Sequence, residues 1–326
     1  MISQPLKIRL AVKIFGKRNA LHAHQILMQI KTYKRRHETK RIPFFLVYYF
    51  YKFITNNVPT KKEIVSVNGY QMKIIPKDQG ISKEVLVFKT HEPLTTSLVN
   101  REIKSGMICI EVGSNIGYYA LLESKLVGNN GIVIAIEPSP LNFEYLKYNL
   151  SLNNASNVRP FNVAIGDLDT QVNFLISDLS NWCKIIDITP SNSNGNVITV
   201  PLVKLDTFVS QNSLPSIDLI RMDIEGYEYN AYNGMVNTIE RFKPDLLIEV
   251  HVTTMGLEKT GLFLNKLKSD GYEIKYYIEK RLDRPWVNNM KKDVEMIGIA
   301  RLIEMLAKKK IPDLLMLYLI NKGKTR

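Results

Sequence analysis

The feature that most constrains this chain is an alternation that sets in at Met107. Short apolar runs at 108–112, 132–136, 158–163, 172–176, 197–203, 219–222, 246–250, 272–278 and 294–300 read as strands. Between them, 118–126, 142–153, 229–235 and 261–270 carry helical spacing. Continuous apolar strands separated by helices predict an α/β fold with a mostly parallel sheet, because such strands have no polar face to show and need helices on both sides. Ahead of the alternation, 63–76 reads as a β-hairpin turning at Asn68-Gly69. Behind it, 301–326 combines an amphipathic helical pattern with a break at Pro312 and reads as a helical tail.

Open parallel sheets bind ligands beyond the carboxyl ends of their strands. At the first such end, "EVGSNIGYY" holds Glu111, Gly113, Ser114, Asn115 and Gly117 in a tight strand-to-helix turn. The turn has neither the Lys nor the Ser/Thr of a triphosphate-binding P-loop. Asn115 stands where a dinucleotide fingerprint has the glycine that lets backbone approach a pyrophosphate. Glu111, an acid at the strand's end, suits a ligand carrying positive charge. S-adenosylmethionine fits, with its sulfonium, its ammonium and no phosphate. At the next strand end, "IEPSPLN" places Glu137 to accept ribose hydroxyls, with Pro138 and Asn142 beside it. An acid there also serves NAD, so Glu137 alone leaves the two cofactors open. Farther on, Ala164 and Asp167 in "AIGDLD" are candidates for the adenine rim.

A second group of acids follows. "RMDIEGYEY" puts Asp223, Glu225 and Glu228 just beyond the strand 219–222, and "IEVHV" ends in Glu249 and His251, on one side of their strand by alternation. His251 has the ordinary pKa of a general base near neutrality; Asp223 and Glu225 are the alternatives if desolvation raises theirs. Asp223 is also assigned to the methionyl end of the cofactor. Glu228, Glu249 and Trp182 are candidates for the acceptor side, Trp182 as an aromatic face for a sugar. A divalent metal on Asp223 and Glu249 is chemically open but not favoured over metal-free chemistry. His91 has no evident partner and reads as structural.

Taken together, "IEVGSNIGYYALLESKLVG", "IVIAIEPSPLNFEYLKYNL", "NVAIGD", "IDLIRMDIEGYEYNAYNGM" and "PDLLIEVH" resemble the FkbM family of S-adenosylmethionine-dependent methyltransferases. Two positions differ from the family's usual pattern: Glu111 replaces an Asp, and Ser114 an Ala. The resemblance covers roughly 74–252 and implies a Rossmann-like class I methyltransferase sheet of seven strands, the last antiparallel, in a methyltransferase domain expected over 63–300. It also implies O-methylation of a hydroxyl on a sugar, glycolipid or secondary metabolite. Two other functions stay open. One is an NAD(P)-dependent oxidoreductase, opposed by Asn115 and Glu111. The other is a non-catalytic methyltransferase-like scaffold, opposed by retention of Glu111, Gly113, Gly117, Glu137 and Asp223.

The chain carries a formal charge of +13, and 1–62 alone holds 14 Lys and Arg against the single acid Glu38. The excess therefore belongs to a basic N-terminal extension and says little about the site. That extension reads as helical, with a dense aromatic block at 42–54 that falls short of the roughly 20 residues a membrane span needs. It suits a cap on the main domain or peripheral contact with an anionic membrane; nucleic acid is not an expected partner. His22, His24 and His37 lack acidic or cysteine partners and read as surface residues. No secretory leader is expected, since charges interrupt the first 20 residues. Cys109 and Cys183 have no metal-ligand spacing, and a buried free thiol at Cys109 fits a reduced, cytoplasmic protein. The polar, turn-rich stretch 189–196 is expected as a mobile loop.

Overall fold

The structure is a computed structural model that describes residues 63–76, 78, 80–177, 180–186, 196–285 and 297–324. The chain divides into two units, Met1–Pro59 and Thr60–Arg326, and all described residues belong to the second. The extension expected over 1–62, with its aromatic block and histidines, lies outside the described residues, as does the loop 189–196 apart from Asn196.

The hairpin opens the second unit. β1 (Ile64–Val67) and β2 (Tyr70–Lys73) pair antiparallel. Asn68 and Gly69, at φ 51° and 83°, make the left-handed two-residue turn that Asn-Gly favours. Helices α1 (Ile81–Phe88) and α2 (Pro93–Glu102) lead into β3 (Ile108–Val112). Then come α3 (Tyr118–Val127), β4 (Ile132–Ile136), α4 (Pro140–Leu152) and β5 (Val158–Phe161). Ser139 caps α4 by accepting the Asn142 N–H, and Pro140 fills the first turn, where its missing N–H costs nothing.

An insertion follows, built of β6 (Ala164–Gly166), β7 (Thr170–Ile176), β8 (Lys184–Ile185) and β9 (Asn196–Lys204). These strands form their own four-stranded sheet in the order β6-β9-β7-β8. The runs 172–176 and 197–203 are therefore strands, as expected, but outside the main sheet. Their pattern explains it: β7 fully buries only Phe174, so it needs cover on one side alone.

The chain then returns through α5 (Leu205–Gln211), β10 (Leu219–Met222), α6 (Glu228–Asn233), α7 (Val236–Phe242) and β11 (Asp245–Val250). It closes with α8 (Val252–Ser269), β12 (Tyr272–Glu279), α9 (Ile299–Ala307) and β13 (Leu315–Asn321). The main sheet has seven strands in the order β12-β13-β11-β10-β3-β4-β5. β13 runs antiparallel to both β11 and β12, and the remaining pairs are parallel. This is the expected Rossmann-like arrangement.

The end of the chain differs from expectation. Ile299 and Ala300 open helix α9 rather than close a strand, and 301–326 is no helical tail, because it contains β13. The run "LMLYLIN" is buried except at Ile320, and a continuous apolar run does not separate strand from buried helix by periodicity. The open slot between β11 and β12 decides for strand.

Alternation divides the core in two. Ile110, Val112, Ile220, Met222, Ile248 and Val250 pack with α5 to α9, whereas Cys109, Leu219 and Leu247 pack with the hairpin and α1 to α4. Parity thus sends Glu111, Arg221 and Glu249 to the second face. Strand order reverses between β3 and β10, which opens a crevice beyond their carboxyl ends. No described helix is long and apolar enough to cross a membrane. Cys109 and Cys183 are both free, with Cys109 buried.

Candidate active site

The crevice at the strand reversal holds a pocket. Its floor is the turn after β3. Gly113, at φ 89°, sits so close to β10 that an added Cβ would lie 2.0 Å from the Asp223 carbonyl oxygen. Only glycine lets the two strand ends converge this far. The N–H groups of Gly113 and Ser114 both donate to the Ile136 carbonyl, at 2.9 and 3.0 Å, which ties the turn to β4.

Glu137 stands at the tip of β4, 4 % exposed. It accepts the backbone N–H groups of Asn115 at 2.8 Å and Ser139 at 2.9 Å, and more distantly Asn142 Nδ2 at 3.4 Å. Burial pushes its pKa up to about 7, against the pull of these donors. A carboxylate offers about four acceptor positions, so capacity for a ligand hydroxyl remains.

The opposite wall is the "DIEG" turn after β10. Asp223 and Glu225 both line the pocket. Glu225 sits at φ 57°, a left-handed conformation that a non-glycine residue holds only at a cost. Burial raises the Glu225 pKa to about 8; His251 counteracts this, while Asp223, Glu249 and Glu228 add to it.

A strap from the insertion crosses the mouth. The Ser180 carbonyl accepts Asn115 Nδ2 and Asn142 Nδ2, each at 3.0 Å. Asp78 holds the same residue from the other side, accepting Ser180 N–H at 3.0 Å and its hydroxyl at 2.8 Å. Asp78 also accepts Gly80 N–H and Ser82 N–H, so the strap is anchored at the start of α1. With the strap in place the cavity measures about 70 Å³.

Behind the acidic wall lies a buried charged layer. Arg221, 2 % exposed inside β10, reaches Glu111 at 2.5 Å and Asp223 at 3.6 Å, and stacks on the Tyr119 ring at 3.7 Å from its centroid. Lys280 bridges Glu92 at 2.6 Å and Glu249 at 2.8 Å. Burial alone would raise the Glu92 pKa, but Lys280, His91 and Arg221 overcome it and hold that carboxyl well below its usual range. His251 Nδ1 donates to the fully buried Glu228 at 2.8 Å. Burial would lower the His251 pKa, yet Glu228, then Glu249 and Glu225, keep it well above the ordinary 6.5.

The structure brings Gly113, Ser114, Asn115, Glu137, Pro138, Asn142, Asp223 and Glu225 to one pocket. It places others elsewhere. Glu111 faces Arg221 and the helix α3 side, 1 % exposed, because strand parity turns it from the crevice. Gly117 caps α3 below the pocket, against Leu146. Of the two residues expected at the adenine rim neither lines the pocket: Ala164 packs into the small sheet and Asp167 accepts Asn230, while Ile165 between them does line it. Glu228 orients His251 rather than facing an acceptor, and His251 itself stands behind Glu225, with Nε2 3.4 Å from Glu225 Oε2. Glu249 is 4 % exposed and paired with Lys280, whereas Trp182 is 57 % exposed on the strap's short helical turn. His91 does have partners, Glu84 at 2.7 Å and Glu92 at 3.4 Å.

Arg221, Glu92, Lys280 and Tyr119 were not anticipated. An arginine inside the apolar run "LIRM" was the one visible signal, since an unpaired charge is not buried in a central strand.

The Methyltransferase FkbM domain pattern matches residues 111–282, more than half of the chain, including the ends of β3, β4, β10 and β11. The chain belongs to the FkbM methyltransferase family. Among curated relatives, the hexuronic acid methyltransferase AglP of Haloferax volcanii is 25 % identical over 154 residues, covering 47 % of this chain and 60 % of that protein. The chain therefore spans less than two thirds of that relative. Among solved structures, the FkbM methyltransferase from Methylobacillus flagellatus KT is 17 % identical, covers 66 % of this chain and 44 % of that one, and gives a TM-score of 0.39. Aeropyrum pernix fibrillarin with bound S-adenosyl-L-methionine is 13 % identical, covers 81 % and 86 %, and gives 0.40.

Proposed function

We propose that this FkbM family member transfers the methyl group of S-adenosylmethionine to a hydroxyl of a sugar, glycolipid or secondary metabolite. The observation that carries the reading is the pocket at the strand reversal, where a glycine turn with no phosphate-gripping side chain faces Glu137 on one wall and Asp223 and Glu225 on the other. Glu137 has acceptor capacity for the ribose hydroxyls, and the acidic wall suits the sulfonium and ammonium end. The hexuronic acid methyltransferase among the relatives supports a sugar acceptor.

In the reaction an acceptor oxygen attacks the methyl carbon, a C–O bond forms as the C–S bond breaks, and S-adenosylhomocysteine leaves. The enzyme's main contribution is to align oxygen, carbon and sulfur. The hydroxyl proton goes to the Glu225 carboxylate, which lines the pocket, rather than to His251, which stands behind it and is engaged by Glu228. The test is incubation with methyl-labelled S-adenosylmethionine and a panel of hydroxylated acceptors, hexuronic acids and neutral sugars included. Label appearing as a base-stable methyl ether, with equimolar S-adenosylhomocysteine, is expected; label on a carboxylate or an amine would contradict O-methylation of a hydroxyl.

A further inference from the structure

Beside the pocket, three side chains from two strand ends converge on one point. Asp223 follows β10, Glu249 lies on β11 and His251 follows it, and one donor atom from each lies within 4.8 Å of the others. Trans ligands of a hexacoordinate ion stand about twice the 2.0–2.2 Å ligand distance apart, so small side-chain rotations suffice to close around a cation.

Acidity alone would not make this a site. The second observation is His251. It is 6 % exposed, its Nδ1–H is engaged by Glu228 at 2.8 Å, and its Nε2 makes no hydrogen bond among the described residues. That atom points among carboxylates, 3.9 Å from Asp223 Oδ1, 3.8 Å from Glu249 Oε1 and 3.4 Å from Glu225 Oε2. A buried carboxylate fixing one imidazole nitrogen and aiming the other into oxygen donors is how metal-binding histidines are oriented. Glu228 Oε1 is itself held by the Gly226 N–H at 3.0 Å, so the aim is set by the "EGYE" turn. Lys280 neutralises the far oxygen of Glu249, leaving Oε1 for the site.

We infer that Asp223 Oδ1, Glu249 Oε1 and His251 Nε2 bind one divalent cation. One imidazole and two carboxylates, with no thiol among them, suit Mn²⁺ or Mg²⁺ rather than a thiophilic metal. Resting on the methyl-transfer reading, the cation's role is to take the acceptor's hydroxyl oxygen as a ligand beside the methyl group, with the proton passing to Glu225.

The test is Mn²⁺ titration of the full chain, followed by the free-ion electron paramagnetic resonance signal, with unfolding temperature as the check on folding. Wild type is expected to bind one Mn²⁺ per chain. Glu249→Gln and Asp223→Asn, which remove a charge while keeping shape, are expected to weaken binding at least about 10-fold while remaining folded. Glu228→Gln, which removes no ligand but loosens the hold on His251 Nδ1, is expected to weaken it less. Absence of binding to wild type at millimolar Mn²⁺, or folded Glu249→Gln and Asp223→Asn proteins that bind as wild type does, would overturn the site. S-adenosylmethionine binding measured in the same samples with chelator present separates this result from the cofactor reading.

Discussion

Arg221 sits in a strand whose other residues are all apolar, and its partners explain why the fold accepts it. Glu111 lies directly across the register on β3, and Glu123 on α3 is fully buried. Glu111 and Glu123 are thus both buried in the field of one guanidinium that also faces Asp223, and the fold resolves the surplus by keeping protons. Burial raises the Glu123 pKa well above its ordinary 4.5, with Glu111 adding to it and Arg221 opposing, and burial takes Glu111 to about 7 against the pull of Arg221. Folded-state values above the unfolded ones mean that the native state holds protons the unfolded chain has released. The stabilising contribution is complete below about pH 4.5 and is lost as pH rises through the folded values. Urea unfolding is therefore expected to show stability falling from about pH 5 to about pH 8, with a shallower fall in Glu123→Gln; identical slopes would contradict a retained proton. Glu225 makes the catalytic case at the same scale. Glu225→Gln is expected to lower kcat by about 10²-fold or more at saturating cofactor, and near wild-type turnover with an identified acceptor would remove it from the base role. Residue types were legible in the sequence here, but not partners. Glu111 and Arg221 are 110 positions apart, and nothing local announces that one neutralises the other.

Among elements, those with strong local grammar were readable: the Asn68-Gly69 hairpin, the β3–turn–α3 unit, and α4, expected over 142–153 and found at Pro140–Leu152. Elements whose state depends on distant partners were not. β13 becomes a strand because the slot between β11 and β12 is open to it, and β7 and β9 leave the main sheet because their alternation needs cover on one face. The strap at Ser180 belongs to this second class. Its carbonyl occupies the amides of Asn115 and Asn142, two groups expected to contact cofactor, and a 70 Å³ cavity is well below the roughly 300 Å³ at which ligand pockets begin. Entry of a nucleoside-sized ligand then requires the strap to lift. Asp78→Ala, which removes the strap's anchor, is expected to accelerate both association and release of S-adenosylmethionine in stopped-flow fluorescence, helped by exposed Trp182 as reporter. Rates equal to wild type would show that the strap does not gate the pocket.

At the scale of the whole molecule, one sheet does two jobs through the parity of its strands. Residues facing α5 to α9 are almost wholly apolar and form the larger core, while the other face carries the charged layer of Glu111, Arg221 and Glu249 behind the acidic wall. The turn after β3, the tip of β4 and the ends of β10 and β11 meet only because strand order reverses between β3 and β10. The regular alternation from Met107 foretold such a meeting place, and the family match over 111–282 coincides with it. The central claim is that this meeting place is a S-adenosylmethionine pocket. Isothermal titration of the full chain with S-adenosylmethionine and S-adenosylhomocysteine, with NAD and NADP alongside, tests it most directly. The account predicts one-to-one binding of the first pair at micromolar affinity or tighter, reduced in Asp223→Asn, and no heat from the nicotinamide cofactors. Folded protein that binds neither sulfur compound, or that binds NAD in their place, would contradict it.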